Sequence, residues 1–222
     1  NFLNLKMKTL KVPIQNILRH KTLSKRMEFL NNNGVVALID EINWKETFPK
    51  YLPVSVHVAH DNNYLFLLYH VKGEILRTVN NKDFMPVWED SCVEFFMQLP
   101  GEKIYRNFEC NANGVLLAAK RENRETAKML SVKEISSIVR YASIQHRYQE
   151  EKELSDWSLY LKIPKQVMGF SDETSLSGKK IKANFYKCGD KTEEPHFLSW
   201  NPINTPQPDF HVPSFFGLLE MA

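Results

Sequence analysis

The feature that most limits the fold is the density of short apolar runs that alternate with polar residues. Val54, Val56 and Val58 alternate with Ser55, His57 and Ala59, the period-two pattern of a strand with one buried face. After "HDNN" a second β-rich run covers Tyr64 to Val71, so the two form a hairpin around an Asp-Asn turn. Tyr105 to Cys110 and Val115 to Ala119 flank "NANG", whose Asn-Gly step tolerates positive φ, and form another hairpin. "SSIVRYASIQHRY" and "WSLYLKIP" alternate again, the second with Trp157, Leu159, Leu161 and Ile163 on one face. "VVALID", Cys92 to Leu99, "KIKANFYKC" and "FFGLLEM" bring the total to about nine or ten strands, with no ten-residue helical pattern between them. Parallel strands need long crossover connections, usually helical, so this spacing argues against a parallel α/β sheet. It predicts an all-β chain, an antiparallel β-sandwich with minor helical segments.

Those helical segments are few. Thr22 to Asn32 reads as a short helix capped by Thr22 or Ser24 and broken by "NNNG". "RENRETAKMLSVKEISS" reads as a loop with at most a short helix, where Ser131 and Glu134 could form a capping box. Residues 1–33 read as an irregular, basic extension packed on the sandwich. The aromatic, proline-rich end from His196 to Gly217 reads as ordered loop, because disordered segments are poor in residues such as Phe197, Trp200, Phe210, Phe215 and Phe216. No repeat, low-complexity tract or linker divides the chain, and a single domain over residues 1–222 is the simplest organisation.

Composition excludes several classes of function. A net charge of +3 over 222 residues gives no footprint for nucleic acid or an anionic membrane surface. No apolar run reaches membrane-spanning length. With 43% hydrophobic residues the chain can bury a core without disulfides. Cys92, Cys110 and Cys188 form no CxxC pair, which leaves one disulfide or three free thiols equally open. The compartment stays open too: a removed upstream signal would place the protein outside the cytoplasm, and Met7 as native start would place it inside.

The stretch "VWEDSCVEFFMQLP" is anomalous. Val93, Phe95, Phe96, Met97 and Leu99 belong in a core, yet Asp90 and Glu94 sit among them, and ionised carboxylates are rarely buried without partners. A glycosidase pair is one explanation. Four residues along a strand, however, put the two Cα atoms roughly 13 Å apart. Retaining enzymes place their carboxyls about 5–5.5 Å apart and inverting ones about 6.5–9.5 Å. Glu109 on a neighbouring strand could join Glu94, though nothing in the sequence requires it. No GxSxG, HExxH, P-loop or GxGxxG is present, and the seven histidines are scattered. "HDNN" and the loops carrying Asp83 and Asp209 offer oxygen ligands that suit structural calcium, although none matches a DxDxDG pattern. No other cofactor is indicated.

A binding site fits the same residues. The apolar face of a sugar ring stacks on Trp or Tyr while carboxylates, Arg and Asn take its hydroxyls. Trp88 and Glu94, with Arg106 on a strand that could lie adjacent, supply these groups. The alternative is structural: Trp88 plugs one end of the sandwich, and Glu94 and Arg106 form a buried ion pair.

"VWEDSCVEFFMQLP" followed by "YRNFECNANGVLLAAKR" resembles the central region of family 9 carbohydrate-binding modules. The ending "IKANFYKCGD…HFLSWNPINTPQPDFHVPSFFGLLEM" resembles the close of that family's bacterial, stand-alone members, and "SVHVAHDNNYLFLLYHVKGE" fits the hairpin before the acidic strand. The resemblance covers about Val35 to Met221. It implies a DOMON-like β-sandwich without catalytic machinery that binds an oligo- or polysaccharide, commonly a chain end, in polysaccharide utilisation and beside glycoside hydrolases. It also implies two tryptophans clamping a terminal sugar, here Trp88 and Trp200, with Glu94 and Arg106 on its hydroxyls. The asparagine expected shortly before the second tryptophan is absent, and Phe197 stands there. Family members also bind calcium, but no ligand set transfers here. Two rivals remain: a glycoside hydrolase or lyase on the same fold, and a protein-interaction sandwich whose aromatics are core.

Overall fold

The computed structural model describes residues 6–222. Among them are thirteen strands: β1 (Thr9–Val12), β2 (Val35–Leu38), β3 (Val54–His60), β4 (Tyr64–Glu74), β5 (Cys92–Gln98), β6 (Tyr105–Asn111), β7 (Leu116–Arg121), β8 (Ala127–Met129), β9 (Val139–Gln149), β10 (Lys152–Pro164), β11 (Lys180–Cys188), β12 (Phe197–Ser199) and β13 (Gly217–Met221). Two α-helices, α1 (Leu23–Asn33) and α2 (Val132–Ser136), accompany them. One sheet runs β1-β13-β11-β5-β6-β7-β8 and the other β2-β3-β4-β10-β9. Strand β12 extends the first sheet beside β11, pairing with the half of β11 that β13 leaves free. All pairings between these strands are antiparallel except β1 with β13. The fold is the β-sandwich that the alternating pattern predicts.

Three apolar layers hold it. The middle layer draws on both sheets: Leu65, Leu67, Tyr69 and Val71 of β4 meet Val93, Phe95 and Met97 of β5, Phe108 of β6 and Phe185 of β11. A second layer lies outside the five-stranded sheet, where Phe66 and Leu68 of β4 pack with Leu18 and with Leu30 of α1. Strand β4 is therefore buried on both faces, which explains its unbroken apolar run. The third layer covers the outer face of the larger sheet. There Cys92 and Phe96 of β5, Tyr105 of β6 and Tyr186 of β11 pack beneath the C-terminal segment through Phe210 and Phe216. That third layer carries the site.

Two expectations need correction. The extension over residues 1–33 is ordered within its described part: β1 pairs with β13, and α1 covers β3 and β4. Residues 1–5 lie outside the described residues. The segment before Ser131, read as loop, contains β8, a short edge strand on β7 with every residue exposed; no buried face gave it a pattern to read. The capping box itself forms, Ser131 receiving Glu134 N–H while the Glu134 carboxylate receives Ser131 N–H.

Candidate functional site

Strand parity decides what the cleft contains. On β5, Cys92, Glu94 and Phe96 point away from the inter-sheet core, and Val93, Phe95 and Met97 point into it. Glu94 pairs with Glu109 of β6 on one side and with Tyr186 of β11 on the other. Glu109 pairs in turn with Leu117 of β7, two positions from Ala119 and four from Arg121 on the same face. Cys188 of β11 pairs with Phe197 of β12, so Phe197 shares the face too. Of these residues Glu94, Glu109, Arg121, Cys188 and Phe197 border a cavity of about 230 Å³, which Trp88, Asp190, Arg124 and Pro208 to His211 of the C-terminal segment also line. That is below the roughly 300–1,000 Å³ of sites for drug-sized ligands, a size for one small polar molecule or a chain end.

The turn carrying Trp88 is pinned at both ends. Asp90, with no exposed surface, accepts from the Arg77 guanidinium, from Asn80 N–H at 2.9 Å and from Asn111 Nδ2 at 3.0 Å. Asp190 N–H donates to the Trp88 carbonyl at 3.1 Å, tying the turn to the end of β11. Asp90 is thus a support for the Trp88 loop and forms no pair with Glu94. Trp88 itself remains 37% exposed, a large aromatic on a pinned turn beside the cavity.

Inside the cavity the carboxyls are short of partners. Glu94 Oε1 accepts from Cys188 Sγ at 3.2 Å and more distantly from Cys92 Sγ at 3.9 Å. Glu109 Oε1 accepts from Asn107 Nδ2 at 2.9 Å, while its Oε2 has no hydrogen-bond partner among the described residues. Burial pushes Glu94 well above the usual carboxylate range, and the facing Glu109 adds to it. Burial likewise raises Glu109 to about 7 and Asp190 to about 6. Arg121 Nε donates to Asn107 Oδ1 at 2.9 Å and its Nη1 to the Arg124 carbonyl at 2.6 Å, which sets the guanidinium at the rim. His211 Nδ1 lies 2.9 Å from the Tyr105 hydroxyl, and burial lowers its pKa to about 3, keeping it neutral.

Of the four residues expected at a sugar site, the structure brings together Trp88 and Glu94. Arg106 is elsewhere. It lies three positions from Glu109 on β6, hence on the opposite face, and is 4% exposed. Its guanidinium donates to Glu102 at 2.6 Å and fills the space where a Cβ on Gly169 would come within 2.5 Å of it. Gly169 also has φ +101°, so any other residue there would be strained and crowded. The alternative ion pair of Arg106 with Glu94 is absent for the same reason of parity. Trp200 is misplaced by one step. It follows β12, where Phe197 and Ser199 face outward; Trp200 turns inward, 4% exposed, with its ring 5.7 Å from Phe185. The two tryptophans therefore do not clamp one ring. Phe197, the residue standing in the expected asparagine position, borders the cavity with Trp88, as does Phe210. Arg121 takes the place foreseen for Arg106. Its position follows from "NANG": counting outward pairs Asn107 with Ala119 and Tyr105 with Arg121, a signal the sequence did contain.

Cys92, Glu94 and Cys188 bring two sulfurs and a carboxylate oxygen within 4.8 Å of one another, a set that could ligate a soft metal only after both thiols lose protons. Burial drives those thiols the other way, Cys92 to about 12 and Cys188 well up. All three cysteines are free and buried, and Cys92 faces Cys188 across β5 and β11. The carboxylates considered for calcium bond to protein donors: Asp61 to the N–H groups of Asn63 and Tyr64, Asp83 to Arg140 and Leu116 N–H, and Asp209 to His211 N–H.

Comparisons with known proteins agree with this fold. A protein from Bacteroides uniformis ATCC 8492, described as a candidate carbohydrate-binding protein, superposes with a TM-score of 0.85 at 35% identity, over 98% of this chain and 100% of that one. A family 9 carbohydrate-binding module from Caldicellulosiruptor kristjanssonii, solved with glucose, gives a TM-score of 0.61 at 11% identity, over 97% and 96% of the two chains. The same source solved with cellotriose gives 0.60, also at 11%, over 96% and 93%. At that identity the likeness is one of fold. No curated protein matches the chain. The model of carbohydrate-binding family 9 matches residues 25–221, nearly the whole sandwich, and the chain therefore belongs to carbohydrate-binding family 9.

Proposed function

We propose that the cavity on the outer face of the larger sheet binds a saccharide, and that the protein does so without cleaving it. The observation that carries this reading is the exposed Trp88, on a turn pinned by hydrogen bonds, bordering the same cavity as a buried carboxyl that has an unpaired oxygen. A sugar ring offers both complements, an apolar face for the indole and hydroxyls for Glu109, Glu94 and Arg121. Phe197 supplies a second aromatic wall. Hydrogen bonds to charged groups contribute roughly 1.5–3 kcal/mol each, so a few of them suffice for a small ligand. The small cavity favours a terminal residue over the middle of a long chain. Family membership and the sugar complexes of the Caldicellulosiruptor module support the same class of ligand; a place in polysaccharide utilisation, alongside glycoside hydrolases, is part of this proposal.

Hydrolysis is the weaker reading. A glycosidase needs one protonated and one ionised carboxyl flanking the scissile bond. Glu94 and Glu109 rise from adjacent positions on a single wall, and burial raises both. We expect no new reducing ends when the protein is incubated with oligosaccharides that it binds. A glycan array identifies those ligands, and titration of Trp88→Ala with the best of them should show affinity reduced at least tenfold. Retention of no glycan, or full affinity in Trp88→Ala, would reject the assignment.

A further inference from the structure

The lining of the cavity carries more acidic than basic groups, and a carboxyl that burial holds protonated gives up its proton when a cation docks on it. Glu94, Glu109, Asp190 and Asp209 face Arg121 and Arg124, four carboxyls against two guanidinium groups. The guanidinium groups are also partly committed. Arg121 bonds to Asn107 and to the Arg124 carbonyl, and Arg124 lies 3.8 Å from Asp209. Among the described residues, neither Glu94 nor Glu109 has a cationic side chain within ion-pair distance; their partners are thiols and an amide. Glu109 is 3% exposed and its Oε2 has no partner, a cost that buried acceptors rarely bear unless something outside the chain satisfies them. The two carboxyls stand directly opposite across β5 and β6, and such cross-strand neighbours have Cβ atoms about 4.5–5.5 Å apart. One small cation donor placed between them can reach both.

We propose that the preferred ligand is a saccharide bearing a protonated amine, a hexosamine, whose ammonium group docks between Glu94 and Glu109 while its ring lies against Trp88. This rests on the sugar-binding reading and narrows it. An ammonium carries three donors, enough for Glu109 Oε2 and a Glu94 oxygen together. A neutral sugar offers only hydroxyls to the same carboxyls, and a uronic acid brings a further negative charge to an acidic wall. The order of affinity should therefore be amino sugar, neutral sugar, acidic sugar.

Glucosamine, glucose and glucuronate, titrated into the protein by NMR at a pH where the amine is protonated, test this order. Glucosamine should bind about tenfold or more tighter than glucose, the yield of one charge-assisted contact, and glucuronate weakest. In Glu109→Gln, which keeps the side-chain shape, the glucosamine advantage should shrink several-fold, with a melting curve confirming the fold. Glucose binding as tightly as glucosamine, glucuronate binding tightest through Arg121 and Arg124, or an undiminished advantage in Glu109→Gln would each overturn the proposal while leaving a sugar site. If none of the three perturbs the cavity resonances and a glycan array is also blank, the sugar reading falls with it.

Discussion

Successive residues of β11, Lys187 and Cys188, face buried acids on opposite sides of the larger sheet, Glu74 on one and Glu94 on the other, and the two settings are solved differently. Lys187 of β11 points inward, has no exposed surface, and donates to Glu74 at 2.8 Å, to the Cys188 carbonyl at 2.8 Å and to His196 Nε2 at 2.6 Å. The second Glu74 oxygen accepts from Trp157 Nε1 at 2.7 Å. His196 gives its Nδ1 proton to the Glu194 carbonyl, and burial beside Lys187 drops its pKa to about 2, so it serves Lys187 as a neutral acceptor. Every polar atom of that group is used, and it ties β4 and β10 of one sheet to β11 of the other. One residue further along, Cys188 faces outward to Glu94, and the adjacent Glu109 has an oxygen without a partner among the described residues. Burial alone does not distinguish the two groups, because Glu74, Glu94 and Glu109 are all 2–3% exposed. Satisfaction does: the closed network serves folding, and the open one leaves an acceptor for the proposed ligand.

The largest expected effects belong to the closed group. Lys187→Met strands the Glu74 carboxylate in the core and should cost about 3–5 kcal/mol, read as a lowered midpoint in urea. Trp200→Ala, in the same inter-sheet core, should cost a similar 3–5 kcal/mol. A cost near zero for Lys187→Met would mean that water reaches Glu74 and that the comparison is false.

The open group should respond with the opposite sign. Glu109 has an ordinary carboxyl pKa of 4.5 when exposed and about 7 when folded, so between those values the folded protein holds the extra proton. Its contribution to stability then falls as pH rises through that window. Glu109→Gln should gain about 1–3 kcal/mol over wild type at the upper end and little at the lower end. Because His196 and His211 titrate in the reverse sense, the measurement is the difference between variant and wild type across pH. A variant less stable than wild type at neutral pH would show that Glu109 has a folding partner.

Much of this was legible in the sequence. The alternation of Val54 to Val58 and of Trp157 to Ile163 specifies strands because a half-buried strand must alternate, and the sandwich followed from their spacing. "VWEDSCVEFFMQLP" announced the site through one misplaced carboxylate. What the sequence could not convey was which strand lies beside which. Glu109 meets Glu94 only because β5 and β6 pair in that register, and a shift of one residue would have set Phe108 or Cys110 opposite Glu94 and turned Arg106 to the outer face. Trp200 failed by the same single step, since β12 was not recognised and its parity was unknown. Arg121 was within reach from the Asn-Gly turn, and the motif resemblance drew attention to Arg106 instead.

The smallest effect on stability is expected at the site's aromatic wall. Trp88→Ala removes an indole that is 37% exposed and should cost about 1 kcal/mol or less in folding, within the range for surface positions, while weakening saccharide binding at least tenfold. A loss comparable to Trp200→Ala would return Trp88 to the role of a plug at the end of the sandwich.

The most direct test is a crystal structure with the best glycan-array ligand soaked in. It should show a sugar ring in the cavity against Trp88 and Phe197, with a ligand donor within hydrogen-bond distance of Glu109 Oε2. A sugar bound on any other surface, or a cavity that stays without one at saturating ligand, would contradict the account.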